Sequence, residues 1–322
     1  MTHAVAVRKA NEVSTETLSE AAEQYRRGSK AAATMKAYGF DLKDFAAWCE
    51  EQGTGFLPAT PRAVADYLTH LATVKGYKAA TLQRRISAIS QLHQAHEYES
   101  PTQSHVVRSV MAGIRRKHGT AQKGKAALRT DDLRRMVEAL PDSLLGIRDR
   151  ALLVVGFAKA FRRSELVGLD VEDVEFSKEG LIVTLRRSKT DQEGQGARFG
   201  IPYGSNPLTC PVRALQEWIE VSGIESGPLF RPINRHGHIQ PKRLSDKAVA
   251  RIVKRSAKAV GLDPADYAGH SLRAGFATEA ASRGVSERAI MRQTGHKSLT
   301  TVRRYIREGS MFQDNAAAQV GL

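Results

Sequence analysis

Between His270 and Tyr305 the chain carries side chains that chemistry needs more than folding does. The stretch reads His270-Ser-Leu-Arg273, then, after a polar helical segment, Gly295-His296-Lys-Ser, then Tyr305. Arg273 and two imidazoles can surround a phosphate with charge and hydrogen bonds. Tyr305 can attack that phosphate and form a covalent ester. Two earlier groups complete the inventory. Arg162 stands in Phe161-Arg162-Arg-Ser-Glu165-Leu, after an apolar helix, and Lys189 lies in the polar stretch Ser188 to Gly194. Each has a plain reading when taken alone. Arg162 could only bridge Glu165, Lys189 could be solvated on a hairpin tip, and Tyr305 could be a core tyrosine. His270 and Arg273, three apart, share a helix face and could form a structural hydrogen-bond set. Together they supply two guanidiniums, two imidazoles, an ammonium and a phenol, which is what metal-free cleavage of a phosphodiester requires. The arginines can clamp the nonbridging oxygens, the phenol needs a proton acceptor, and the departing 5′ oxygen needs a proton donor.

Composition limits the partners. The 322 residues suffice for two domains, and 41% hydrophobic content supplies a core. A net charge of +15 points to a polyanion. Two cysteines, Cys49 and Cys210, exclude a disulfide framework or cysteine-rich zinc site and suit a reducing compartment. His236 and His238 lack partner ligands at useful spacing, so neither a metal nor a cofactor is expected. The longest apolar run, Ala151 to Ala158, is too short to span a bilayer, and no apolar signal core follows the N-terminal charges. The expected location is the cytoplasm, at the nucleoid, with no membrane partner.

The elements that must position these groups can be read from periodicity. Residues 1–18 read as a loose tail. Helical spacing begins at Ser19, and Tyr25, Met35, Tyr38, Leu42, Phe45 and Trp48 mark one amphipathic helix ending near Gly53. Thr60-Pro61 opens a second helix in cap-then-proline order. A third starts near Ala79 with Leu82, Ile86, Ile89 and Leu92 on one face and Gln83, Arg84 and Arg85 on the other. A fourth runs from about Gln103 to Lys117. Residues 19–118 are thus an all-helical domain, and basic, Gly-containing 119–127 is its linker. The rest, 128–322, begins with Thr130-Asp131-Asp132 as a helix cap and a buried-looking helix from Arg148 to Phe161. Three short strands follow at Val171 to Phe176, Leu181 to Leu185 and Ala197 to Ile201. Helices then carry Trp218 in the core and, from Leu244 to Val260, a polar side with Lys247 and Arg251. The candidate DNA-contacting residues are Thr81, Gln83, Arg84, Arg85, Arg115, Arg116, Lys242, Arg243, Lys247 and Arg251. Phe312, Ala316 and Val320 give a short apolar stripe to a last helix at about 311–322.

In their order and spacing, Phe161-Arg162-Arg-Ser-Glu-Leu, the Lys189 segment, His270-Ser-Leu-Arg273, Gly295-His296-Lys-Ser and Tyr305 resemble the tyrosine recombinase (phage integrase) family. The helical N-terminal half is similar to the core-binding domain of its Cre-like branch. The resemblance implies a mainly α fold with a small antiparallel sheet, arranged as a two-domain clamp on duplex DNA. It implies that Arg162, Arg273 and His296 hold the scissile phosphate and that Tyr305 attacks it to give a 3′-phosphotyrosine. Lys189 would protonate the leaving oxygen, His270 would assist the phenol's proton, and Glu165 would orient the arginines. It further implies a homotetramer on two duplexes, a Holliday junction, and a last helix docked on the adjacent protomer. Lys159 departs from the family, where a small residue is common. A type IB topoisomerase or a catalytically silent DNA-binding regulator are the competing readings.

Overall fold

The computed structural model describes residues 19–121, 124–186, 188, 191, 194–309 and 320. Two compact units divide the chain, residues 1–122 and 123–322.

The first unit holds α1 (Glu20–Gly28), α2 (Ala32–Glu51), α3 (Pro61–Thr73), α4 (Ala79–Ala95) and α5 (His105–His118). The single helix expected from Ser19 is two, because Gly28 and Ser29 interrupt it. Tyr25, assigned to the apolar stripe, is exposed on α1. Thr60 caps α3 by accepting from Ala63 N at 3.1 Å, with Pro61 at the first helical position. Phe45, Val64, Tyr67, Leu68, Leu82, Ile89 and Met111 close the core.

The second unit contains α6 (Thr130–Glu138), α7 (Leu144–Ala158), α8 (Arg163–Gly168), β1 (Val174–Phe176), β2 (Gly180–Leu185), β3 (Ala197–Pro202), α9 (Pro211–Ser222), α10 (Asp246–Ala259), α11 (His270–Ser282), α12 (Glu287–Thr294) and α13 (Leu299–Gly309). The strands form an antiparallel sheet in the order β1-β2-β3, with Val174 opposite Val183 and Leu181 opposite Ile201. The first strand is shorter than expected. Residues 171–173 turn instead, because Asp173 accepts the Asp170 amide at 2.9 Å and draws the chain into a 3₁₀ turn. Thr130 begins α6 without a side-chain cap, and Asp131 and Asp132 lie in the first turn, where they favour the helix dipole.

Helix α7 is apolar all round from Ala151 to Ala158 and accordingly central, packed with Trp218, Leu229, Phe230, Val253 and Leu272. Trp218 Nε1 donates to Leu229 O at 2.9 Å, satisfying its one polar atom. A smaller apolar cluster of Ala277, Ala281, Ile290, Val302 and Tyr305 joins α11, α12 and α13. The second half of the expected linker is tied to this unit. Ala126 N donates to Asp266 O at 2.8 Å, Leu128 N to Ser271 O at 3.1 Å, and Lys125 Nζ to Ala265 O at 2.5 Å. Residues 125–128 therefore strap the loop that leads into α11.

Candidate active site

The end of α7 sets the first candidate group. Its backbone closes with Phe161 N donating to Gly156 O and Ala160 N to Phe157 O, which puts Ala160 at a positive φ of 55°. A side-chain-bearing residue held there is strained, and such strain collects at working sites. The turn aims Ala160 O at Arg273 Nη1, 2.7 Å away, and sends the chain on to Arg162. Arg162 Nη1 donates to Glu165 Oε1 at 2.5 Å, while Glu165 Oε2 accepts the Arg162 amide at 3.0 Å. Glu165 is buried and fixes both the guanidinium and the start of α8.

Helix α11 begins at His270 and carries Arg273 one turn later, 1% exposed. Arg273 Nη1 also donates to Thr294 O at 2.6 Å, whereas its Nη2 is buried without a partner among the described residues. Gly295, at φ 68°, ends α12 in the left-handed conformation and turns the chain to His296. Thr294 Oγ1 donates to Ile290 O at 2.7 Å and lies within hydrogen-bond distance of His296 Nδ1, at 2.7 Å, which holds that ring. Tyr305, buried on α13, has its hydroxyl 2.7 Å from His270 Nε2. The tyrosine ring centroid lies 6.2 Å from that of His270 and 6.0 Å from that of His296.

The site is overloaded with positive charge. Desolvation, then Arg162, lowers Arg273 to about 10. Desolvation, then Arg273 and Arg162, drives His296 down to about 3. His270, at the exposed rim, is lowered by partial desolvation and then by Arg273, Arg304 and Arg162. A neutral His270 has a lone pair on Nε2 to accept the phenolic proton. Glu165 is the carboxylate that opposes the lowering of Arg273. An arrangement of like charges with an unfilled buried donor is completed by an anion.

Comparison with known proteins gives the family. The profile of the phage integrase family matches residues 126–310, and that of the phage integrase N-terminal SAM-like domain matches residues 8–99. The chain belongs to the phage integrase family. An integrase/recombinase XerD homolog from Selenomonas ruminantium is 44% identical over 305 residues, covering 94% of this chain and 89% of the relative. The Cre recombinase of Escherichia phage P1 is 28% identical, over 82% of this chain and 81% of its own. A lambda integrase tetramer bound to a Holliday junction has the same fold, with a TM-score of 0.62 at 16% identity, covering 91% of this chain and 77% of that one. As a member of the family the chain is a tyrosine-type site-specific recombinase.

The other expected residues of this integrase-family chain separate into groups. Lys189 lies outside the described residues. The base of its hairpin is closed by paired Ser188 and Asp191 backbone hydrogen bonds, and Asp191 accepts the amides of Gln195 and Gly196 at 3.1 and 2.9 Å. A cleft of about 290 Å³ joins this hairpin to Lys159, Arg162, Glu165 and His296. Lys242, Lys247 and Arg251 are exposed, as are Gln83, Arg115 and Arg116, with Arg115 donating to Gln83 at 2.5 Å; Thr81 is half-buried. Two expectations need correction. Arg85 is buried, bonded to Asp44 and Tyr67 and stacked on Tyr77, so it belongs to the fold of the first unit. Arg243 donates to Val167 O, Leu169 O and Asp170, and clamps the turn after α8. Arg84 is half-buried and bonded to Asp41 and Ala37 O. Among the described residues no group of three or more His, Cys, Asp or Glu could hold a metal ion. Residue types alone did not reveal Thr294. The available signal was a hydroxyl two positions before a histidine that follows glycine.

Proposed function

We propose that this recombinase cleaves one strand at a time of a specific duplex DNA site, with Tyr305 as nucleophile and Arg162, Arg273 and His296 as the phosphate cradle. The observation that supports this most is a tyrosine hydroxyl bonded to a neutral imidazole beside a buried guanidinium with an unfilled donor. The phenolic proton passes to His270 Nε2 as Tyr305 Oη bonds to phosphorus. The bond from phosphorus to the 5′ oxygen breaks, and that oxygen takes a proton from Lys189. The products are a 3′-phosphotyrosine and a free 5′ hydroxyl. Attack by the 5′ hydroxyl of a second duplex reverses each bond change and yields a Holliday junction. The ester conserves the bond energy, so no nucleotide is consumed.

Lys242, Lys247, Arg251, Arg115, Arg116, Thr81 and Gln83 are the contacts proposed to the duplex, with Arg84 available once released from Asp41. The net charge supports a polyanion, and a lambda integrase tetramer on a Holliday junction supports a homotetramer on two duplexes. The helix expected at 311–322, and its docking on an adjacent protomer, fall, Val320 excepted, outside the described residues. The cytoplasm, where chromosomal DNA is accessible, is the proposed location, with the nucleoid as its site. Covalent complexes trapped on a randomised DNA library and sequenced would test the reading. The expected result is one recurring site with protein on the 3′ phosphate. Adducts without a recurring sequence would favour topoisomerase action, and a 5′ linkage would overturn the chemistry.

A further inference from the structure

Lys159 is buried to 2% exposure at the end of α7, one residue before the strained Ala160. Its ammonium donates to Gln293 O and lies 3.7 Å from the ring centroid of Phe199 on β3. Gln293 Nε2 in turn donates to Ala158 O at 2.9 Å, so the ends of α7 and α12 are joined by a reciprocal pair. Gln293 O and Thr294 O sit at the negative end of the α12 dipole. Lys159 binds the first and Arg273 the second. His296 follows two residues later. The lysine thus anchors the turn that delivers one phosphate ligand, beside the anchor of another, and touches β3 of the sheet.

We propose that Lys159 is a positioning residue for strand cleavage: its protonated ammonium holds the 293–296 turn against α7 and adds a positive charge behind Arg162 and Arg273. The inference rests on the assignment of Tyr305, Arg162, Arg273 and His296 to the cleavage site. Its charge is titratable near the working range. Burial lowers Lys159 to about 8, Glu165 opposes this, and Arg273 and Arg162 add to it. Lys159 in turn contributes to the lowering of His296, and Asp191, Arg292 and Lys297 line the rest of the cleft. The charged form holds below about pH 8 and is lost as pH rises through that value.

The test is the rate of covalent adduct formation on a duplex with a 5′-bridging sulfur, between pH ~6.5 and ~9.5. A thiolate leaves without a proton, which removes the general acid from the alkaline limb. The wild-type rate is expected to fall about 10-fold as pH rises past about 8. Lys159→Met should be about 10-fold slower near neutrality and lack that limb. Lys159→Arg, charged throughout, should restore the rate and keep it at alkaline pH. DNA binding and thermal melting of each variant report folding. A Lys159→Met chain with the wild-type rate, or one that is slow but retains the wild-type limb, overturns the proposal. If Lys159→Met does not fold, the wild type decides alone, since absence of its alkaline limb overturns the proposal. Tyr305→Phe separates the two levels. An adduct from that variant would sink the site assignment itself, whereas an inert Tyr305→Phe beside an unaltered Lys159→Met would sink only the role of Lys159.

Discussion

At the residue scale, Arg273 concentrates the argument. One arm is held by two carbonyls and the other is buried with no partner among the described residues. Losing one preorganised donor to a developing oxyanion costs on the order of 10²-fold in rate. Arg273→Ala should slow single-turnover cleavage by at least that factor, and Arg273→Lys should not rescue it, because an ammonium cannot reproduce the fork. An Arg273→Ala rate within a few-fold of wild type, read on a nicked suicide duplex, would contradict this. His296 adds a pH effect on stability. The folded chain stays neutral at this ring down to about 3, while the unfolded chain binds a proton near the ordinary histidine value of 6.5. Stability should therefore fall as pH drops below about 6.5, and His296→Gln should flatten that part of the melting profile. Residue type and order singled out Arg162, His270, Arg273, His296 and Tyr305, which the fold brings together, since few other arrangements combine a phenol, imidazoles and guanidiniums; Lys189 lies outside the described residues. The placement of Lys159 was not legible. A lysine between Ala158 and Ala160 reads equally as surface or interior, and only the meeting of α7, α12 and β3 decides. Its charge costs on the order of 3 kcal/mol on the shift from 10.5 to about 8. The carbonyl bond and ring contact offset a comparable amount, about 1–3 and 1–2 kcal/mol, so replacement by methionine should be nearly neutral for folding.

Among the elements, close backbone crossings hold α11. A Cβ on Gly275 of α11 would lie 2.1 Å from Leu128 O, in the strap after the linker. Backbone cannot step aside as a side-chain tip can. Gly275→Ala should cost about 2–3 kcal/mol, lowering the melting temperature by roughly 5–10 °C. Unchanged thermal unfolding would show that the strap is loose. Local rules found the Thr60-Pro61 start and the buried Trp218 helix, because caps and periodicity act within a few residues. They misassigned Arg85, because the aspartates that draw it inward come from α2, with Asp41 and Asp44 more than thirty residues away. They also ran α1 and α2 together, since spacing alone does not weigh the break at Gly28 and Ser29.

For the whole molecule, the charge of +15 is the relevant quantity. Each neutralised phosphate releases counterions, so affinity should fall linearly on a log–log plot against salt. Lys247→Ala and Arg251→Ala should each reduce the slope by about one, measured by fluorescence anisotropy on a duplex containing the selected site. A slope unchanged in both variants would remove α10 from the interface. The sequence places the division at the basic, Gly-containing stretch 119–127, and the compact units are residues 1–122 and 123–322. The point where the linker becomes part of the second unit was not legible, because three hydrogen bonds to residues 265–271 fix it across a long separation.

The central claim is that Tyr305 is the nucleophile, and one measurement addresses it directly. Wild-type protein is reacted with a suicide duplex, digested, and the DNA-linked peptide identified by mass spectrometry, with Tyr305→Phe treated in parallel. The expected result is a phosphate ester on Tyr305 and, for the Phe variant, no adduct despite normal DNA binding. An adduct on another residue, or one formed by Tyr305→Phe, would contradict it.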